Sequence, residues 1–92
     1  MKYKFHHDAG HGWLEVSTEE LRKLGIEEKI SGFSYISEDR KTAYLEEDCD
    51  FAVFADAIGG KSFLDIVGEH CYQEISFIRG LEKYSNPFQK AK

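Results

Sequence analysis

The sequence predicts an α+β fold: a small antiparallel sheet of three to five strands packed with two short helices. Three observations lead there. Apolar residues alternate in short runs near the N-terminus and again in the middle of the chain, the period of a half-buried strand. Two other segments, about 18–24 and 51–58, switch to helical signals and spacing. The 92 residues are 41% apolar and include seven Phe, five Tyr and one Trp, a globular composition rather than a disordered one.

Each element has its own signal. Lys2 to His7 alternates with Tyr3 and Phe5 on one face and reads as a first strand. The segment Asp8-Ala9-Gly10-His11-Gly12 turns the chain, and Trp13 to Val16 returns as the partner of a hairpin. Ser17 and Glu20 stand in capping-box spacing, with Val16 and Leu21 as a hydrophobic staple. Gly25 occupies the position where a left-handed residue ends a helix, with Ile26 placed to touch Leu21. The runs 33–37 and 42–46, joined by Glu38-Asp39-Arg40-Lys41, read as a second antiparallel hairpin. Phe51, Phe54, Ala55 and Ile58 form one face of a second helix, closed by Gly59-Gly60. Residues 63–67 read as a strand from which the chain near 70–73 turns away, and 75–84 as a strand or short helix. One domain is expected over 1–84, with a loose tail at 85–92 around the only proline, Pro87.

A chain of this length hides about 60–65% of its unfolded surface, which leaves little room for an enclosed active site. The net charge of −5 argues against general affinity for phosphate backbones. Residues 1–60 hold seven Lys and Arg against thirteen Asp and Glu, whereas 61–92 hold five against four, so the C-terminal part is mildly basic. No apolar run approaches the ~20 residues of a membrane span, and the first residues lack the apolar stretch of a signal peptide. A cytosolic location is expected, with Cys49 and Cys71 as thiols.

Three constellations bear on function. Glu46-Glu47-Asp48-Cys49-Asp50 places four carboxylates where a strand meets a helix N-terminus. Asp48 or Asp50 is expected to cap the helix, and the surplus, with Glu38 and Asp39, to form a negative surface that steers toward Lys and Arg of a partner. Flanking acids disfavour a Cys49 thiolate, so Cys49 reads as a small core or cap residue rather than a nucleophile. His6, His7, Asp8 and His11 raise the question of zinc, but His6 and His7 point to opposite faces of a strand and no zinc-ligand spacing is present. That segment reads as a tight turn: Asp8 takes turn amides, Gly10 and Gly12 supply freedom, and Trp13 anchors the hairpin. His11 hydrogen-bonds the loop or belongs to a binding surface. Tyr72, Phe77, Arg79, Tyr84 and Phe88 put aromatics beside positive charge, either as a stacking platform for single-stranded nucleic acid or as core completion with a soluble terminus. The second is favoured by the overall charge. The chain shows no nucleophile elbow, phosphate loop or dinucleotide fingerprint, so no catalytic residue, metal or cofactor is expected.

The blocks His7-Asp8, Gly10 to Val16, Leu24-Gly25-Ile26, Lys29-Ile30-Ser31, Phe33-Ser34-Tyr35 and Tyr44 to Asp50 resemble a family of short proteins encoded on phages and plasmids. The resemblance covers about residues 6–60 plus Ile78-Arg79 and brings no catalytic residue with it. It implies a mobile-element cargo gene. Small acidic proteins in that setting often resemble inhibitors of host defence, of CRISPR–Cas complexes or of restriction enzymes. The expected activity is stoichiometric inhibition of a nucleic-acid-binding defence complex, a CRISPR–Cas surveillance complex being the partner envisaged. Direct nucleic-acid contact is secondary. The charge of −5 is too small for a strong claim of DNA mimicry, and an inhibitor can as easily use a mixed surface, with Glu38, Asp39, Glu46, Glu47, Asp48, His11 and Arg79 as its candidates. The alternatives are an accessory module that binds protein or RNA through the tail and the His-Gly loop, and a metal-dependent enzyme.

Overall fold

Strand pairing sets the architecture seen in the computed structural model, which describes residues 2–88. In chain order the elements are β1 (Tyr3–His7), β2 (Gly12–Ser17), α1 (Thr18–Lys23), β3 (Tyr35–Ile36), β4 (Thr42–Glu46), α2 (Asp50–Ala57), α3 (Phe63–Ile66), β5 (Val67–Tyr72), a 3-10 turn (Phe77–Gly80) and β6 (Glu82–Lys83). Among the described residues the sheet has six strands in the order β5-β1-β2-β4-β3-β6.

The α+β class stands, and the details differ from expectation in three ways. The sheet is mixed, because β1 pairs antiparallel with β2 but parallel with β5. Residues 63–67 are mostly helix rather than strand: Ser62 and Asp65 form a reciprocal capping box that starts α3. Of the segment near 70–73, expected to turn away, 70–72 is the end of β5, and 75–84 contains the 3-10 turn and β6. The 33–37 run contributes only Tyr35 and Ile36 to the sheet.

Strand alternation sorts side chains onto two faces. Phe5, Leu14, Val16, Ile36, Ala43 and Leu45 share a core with Leu21, Phe54 and Ile66 of the helices. Trp13, Tyr44 and Ile78 form a second cluster on the opposite face, joined by Tyr35 and Leu81. The 3-10 segment therefore covers one side of the sheet and the helices the other.

The start of α1 follows the predicted staple, and Ser17 Oγ accepts from Glu20 N at 3.1 Å. The return bond of the box is replaced: the Glu20 carboxylate accepts from Tyr3 Oη at 2.5 Å, tying the helix to β1. Gly25 takes φ +73°, and Ile26 N donates to Leu21 O, as a left-handed helix end requires. In the segment expected to be a loose tail, Arg40 donates to Ser85 and Arg22 lies over the Phe88 ring. Residues 89–92, including Lys90 and Lys92 of the basic terminus, lie outside the described residues.

Candidate functional site

The turn between β1 and β2 is built on Asp8. Its Oδ1 accepts from the amides of Gly10 and His11, both at 2.9 Å, while Asp8 N donates to His11 O. This is the Asx-type turn the sequence predicts. What the sequence does not disclose is the second use of the same carboxylate. Arg79 Nε donates to Oδ2 at 2.6 Å and Nη2 to Oδ1 at 3.0 Å, and Ser76 N donates to Oδ2 at 3.2 Å. The Arg79 guanidinium, aided by these amides and opposed by burial, holds the Asp8 carboxyl well below the usual carboxylate range. Asp8 thereby locks the hairpin turn to the 3-10 segment.

Trp13, the next anchor, is 2% exposed. The Arg79 guanidinium carbon lies 5.5 Å from its ring centre, Tyr35 meets it edge-on at 6.1 Å, and Lys83 Nζ sits 5.0 Å over the Tyr35 ring. Trp13 Nε1 is buried without a hydrogen-bond acceptor among the described residues.

The acidic run divides into inward and outward carboxylates. Glu46 is only 8% exposed, and its Oε1 accepts from Asp48 N and Cys49 N at 3.0 and 2.9 Å. It holds the turn into α2 rather than standing on a charged surface. Asp50 is also buried, accepting from Ser31 N, from Ser31 Oγ at 2.7 Å and from Ser34 Oγ. Neither Asp48 nor Asp50 caps α2 in the expected way: the N-cap position falls to Cys49, which makes no side-chain capping bond. Cys49 is exposed rather than part of the core. Partial desolvation of its sulfur, then the hydrogen bond and charge of Glu46 and the charges of Asp50 and Asp48, push the thiol pKa up. Glu47 and Asp48 remain outward.

Four of the predicted surface residues, His11, Glu46, Asp48 and Arg79, line one open cleft of about 340 Å³, with Trp13, Phe33, Tyr35, Cys49 and Lys83 as the other walls. Glu47 and His11 line a neighbouring hollow with Phe5, His7 and His70. Glu38 and Asp39 are not part of either. They stand on the β3–β4 turn, where Asp39 accepts from Ser37 Oγ and Lys41 N. The hydroxyl of Ser37 and that amide lower the Asp39 pKa.

Several aromatics are exposed, and of these Phe33 was not singled out from the sequence. Tyr72 is 56% and Phe77 47% exposed, so neither completes the core as favoured above. Phe33, at 65%, forms the outer lip of the cleft. His6 and His7 do face opposite sides: His6 packs against Tyr44 and Phe77, and His7 against Tyr72 and His70. Among the described residues no group of three or more His, Cys, Asp or Glu is placed to hold a metal ion. No helix among them is long and apolar enough to cross a membrane. Comparison with family models, curated proteins and solved structures finds no match to this chain.

Proposed function

We propose that this chain is a non-catalytic mobile-element protein that inhibits a host-defence nucleic-acid-binding complex, of the anti-CRISPR kind, by stoichiometric binding in the host cytosol. The observation that supports this reading most is the rim of the cleft. His11, Asp48, Arg79 and the exposed Phe33 gather at loops on a rigid sheet, with Glu47 beside them. An exposed aromatic among charges of both signs has the make-up of a protein-binding surface, with Phe33 as its anchor. The chemistry on hand suits covering a partner better than transforming a substrate. Arg79 is committed to Asp8, Glu46 to backbone amides, and the Cys49 thiol is shifted away from the nucleophilic thiolate.

The test mixes purified protein with purified CRISPR–Cas surveillance complexes of several types and follows both complex formation and target-DNA binding. A defined stoichiometry with loss of DNA binding is expected for at least one type. Full DNA binding by every complex at saturating protein overturns the reading.

A second reading, an accessory module that binds protein or RNA, is favoured by the exposure of Tyr72 and Phe77 on the segment that Asp8 and Arg79 join to the His-Gly loop. Under it, Tyr72→Ala with Phe77→Ala removes binding while Glu47→Lys with Asp48→Lys leaves it intact. The first reading expects the reverse.

A further inference from the structure

The interior of the cleft carries an arrangement that partner covering does not require. Two cations line it, each against an aromatic ring, Arg79 by Trp13 and Lys83 by Tyr35. Arg79 has Nε and Nη2 turned to Asp8, which leaves Nη1 without a partner among the described residues. Gly10 allows this fit, since a Cβ there would stand 3.0 Å from Arg79 Nη2. Lys83 lies over Tyr35 and has no ion-pair partner among the described residues.

Carboxylates stand on the same cleft. Glu46 is used up in fixing the turn 47–49, and that turn presents Asp48, whose side chain is outward and has no ion-pair partner among the described residues. Aromatic rings complete the lining: Trp13, Tyr35 and the half-free Phe33. Trp13 adds the only buried side-chain donor without an acceptor among the described residues, its Nε1. A volume of about 340 Å³ is at the small end of the range of ligand pockets, about 300–1,000 Å³.

Cations, an unpaired carboxylate and aromatic walls in one small cleft match a ligand with both charges and an apolar body. An oxyanion alone would be repelled by Asp48, and a cation alone by Arg79 and Lys83. We propose that this cleft binds a small zwitterion of amino-acid or dipeptide size. Its carboxylate lies toward Arg79 and Lys83, its ammonium toward Asp48, and its side chain against Phe33 and Tyr35. The site shares Phe33, Asp48 and Arg79 with the partner surface proposed above, so zwitterion and partner compete for it, and the chain alone suffices for the test.

Trp13 is the only tryptophan of the chain, so its emission reports the cleft directly. The full chain is titrated with L-phenylalanine, with N-acetyl-L-phenylalanine, which lacks the ammonium, and with phenethylamine, which lacks the carboxylate; calorimetry checks each titration. Saturable binding of L-phenylalanine is expected, at least tenfold tighter than either half-ligand. Lys83→Met is expected to weaken the two carboxylates but not phenethylamine, which loses a repelling charge, and Asp48→Asn to weaken the two amines but not the acetylated compound, for the same reason. Both substitutions are at exposed positions, so the fold survives them. No saturable response to L-phenylalanine, equal affinity for a half-ligand, or indifference to both substitutions overturns the proposal.

Discussion

Asp8 and Arg79, separated by 71 positions in sequence, meet in a two-point bridge that fastens the first turn of the chain to its C-terminal 3-10 segment. The geometry is the bidentate fork in which guanidinium and carboxylate bind most specifically. Because Asp8 also takes the amides of Gly10, His11 and Ser76, one carboxylate organises two loops at once.

Acid sensitivity follows from that bridge. The folded-state pKa of Asp8 is depressed, so its contribution to stability is complete above the unfolded value near 4 and is lost as pH falls below it. Asp8→Asn is expected to lower Tm by several degrees at pH 7 and to flatten the decline of Tm between about pH 4 and pH 2. Thermal melts of both proteins across that range check it. Parallel curves would rule it out.

Gly12 is required by a neighbour rather than by its own backbone angles. A Cβ there would fall 2.3 Å from Phe5 Cζ, inside the core. Gly12→Ala is expected to cost about 1–3 kcal/mol through overpacking. Gly32→Ala, where the added methyl meets nothing within 4 Å, serves as the control and should remain within about 0.5 kcal/mol of the parent. Urea midpoints decide between them.

The carboxylates of the acidic run should behave as two classes. Asp50→Ala leaves Ser31 N and the Ser31 and Ser34 hydroxyls without their acceptor, at about 1–3 kcal/mol for each donor left buried. Glu46→Ala removes the acceptor of two amides and is expected to destabilise as a lost cap does, by about 1 kcal/mol. Glu47→Ala should change stability by less than about 0.5 kcal/mol. Equal effects at all three positions in denaturant titrations would contradict this division.

Alkaline unfolding should begin at the phenols. Burial, then hydrogen bonding and charge from Glu20, pushes Tyr3 from 10.0 to about 12; burial, then the charge of Glu27, does the same for Tyr84. Their stabilisation is complete below pH 10 and is lost as pH rises toward 12. Tyr84→Phe gives up the bond to Glu27 O, about 0.5–1.5 kcal/mol at neutral pH, but should soften the alkaline decline. Stability against pH, with tyrosinate absorbance as the titration monitor, tests both parts.

Local signals in this sequence were legible and distant pairings were not. Ser17, Leu21, Gly25 and Ile26 act within a few residues of one another, and each behaves as its spacing implies. The exception in that group is Glu20, drawn off its capping duty by Tyr3, a residue on another element. Phe63 to Val67 misled because a short apolar run carries no period of its own; the Ser62–Asp65 box at its start was the signal that separates helix from strand. The strand β5, exposed over most of its length, has too little alternation to announce itself. Of the site, Asp8, His11 and the acids could be named from sequence, whereas the Arg79 fork, the Lys83–Tyr35 stack and the inward turn of Glu46 depend on contacts across the sheet.

The parallel pairing of β1 with β5 also dictates an order of events during synthesis. The ribosome releases β1 first, yet its outer neighbour is not made until the whole stretch from 8 to 66 has emerged. Until then one side of β1 presents unpaired amides and carbonyls, a template for joining another nascent chain. Closing so long a loop is slow, so the docking of β5 should be a late step of folding. A translation product that stops before residue 67 would keep that sticky margin for good, and should aggregate where the full-length protein stays dispersed.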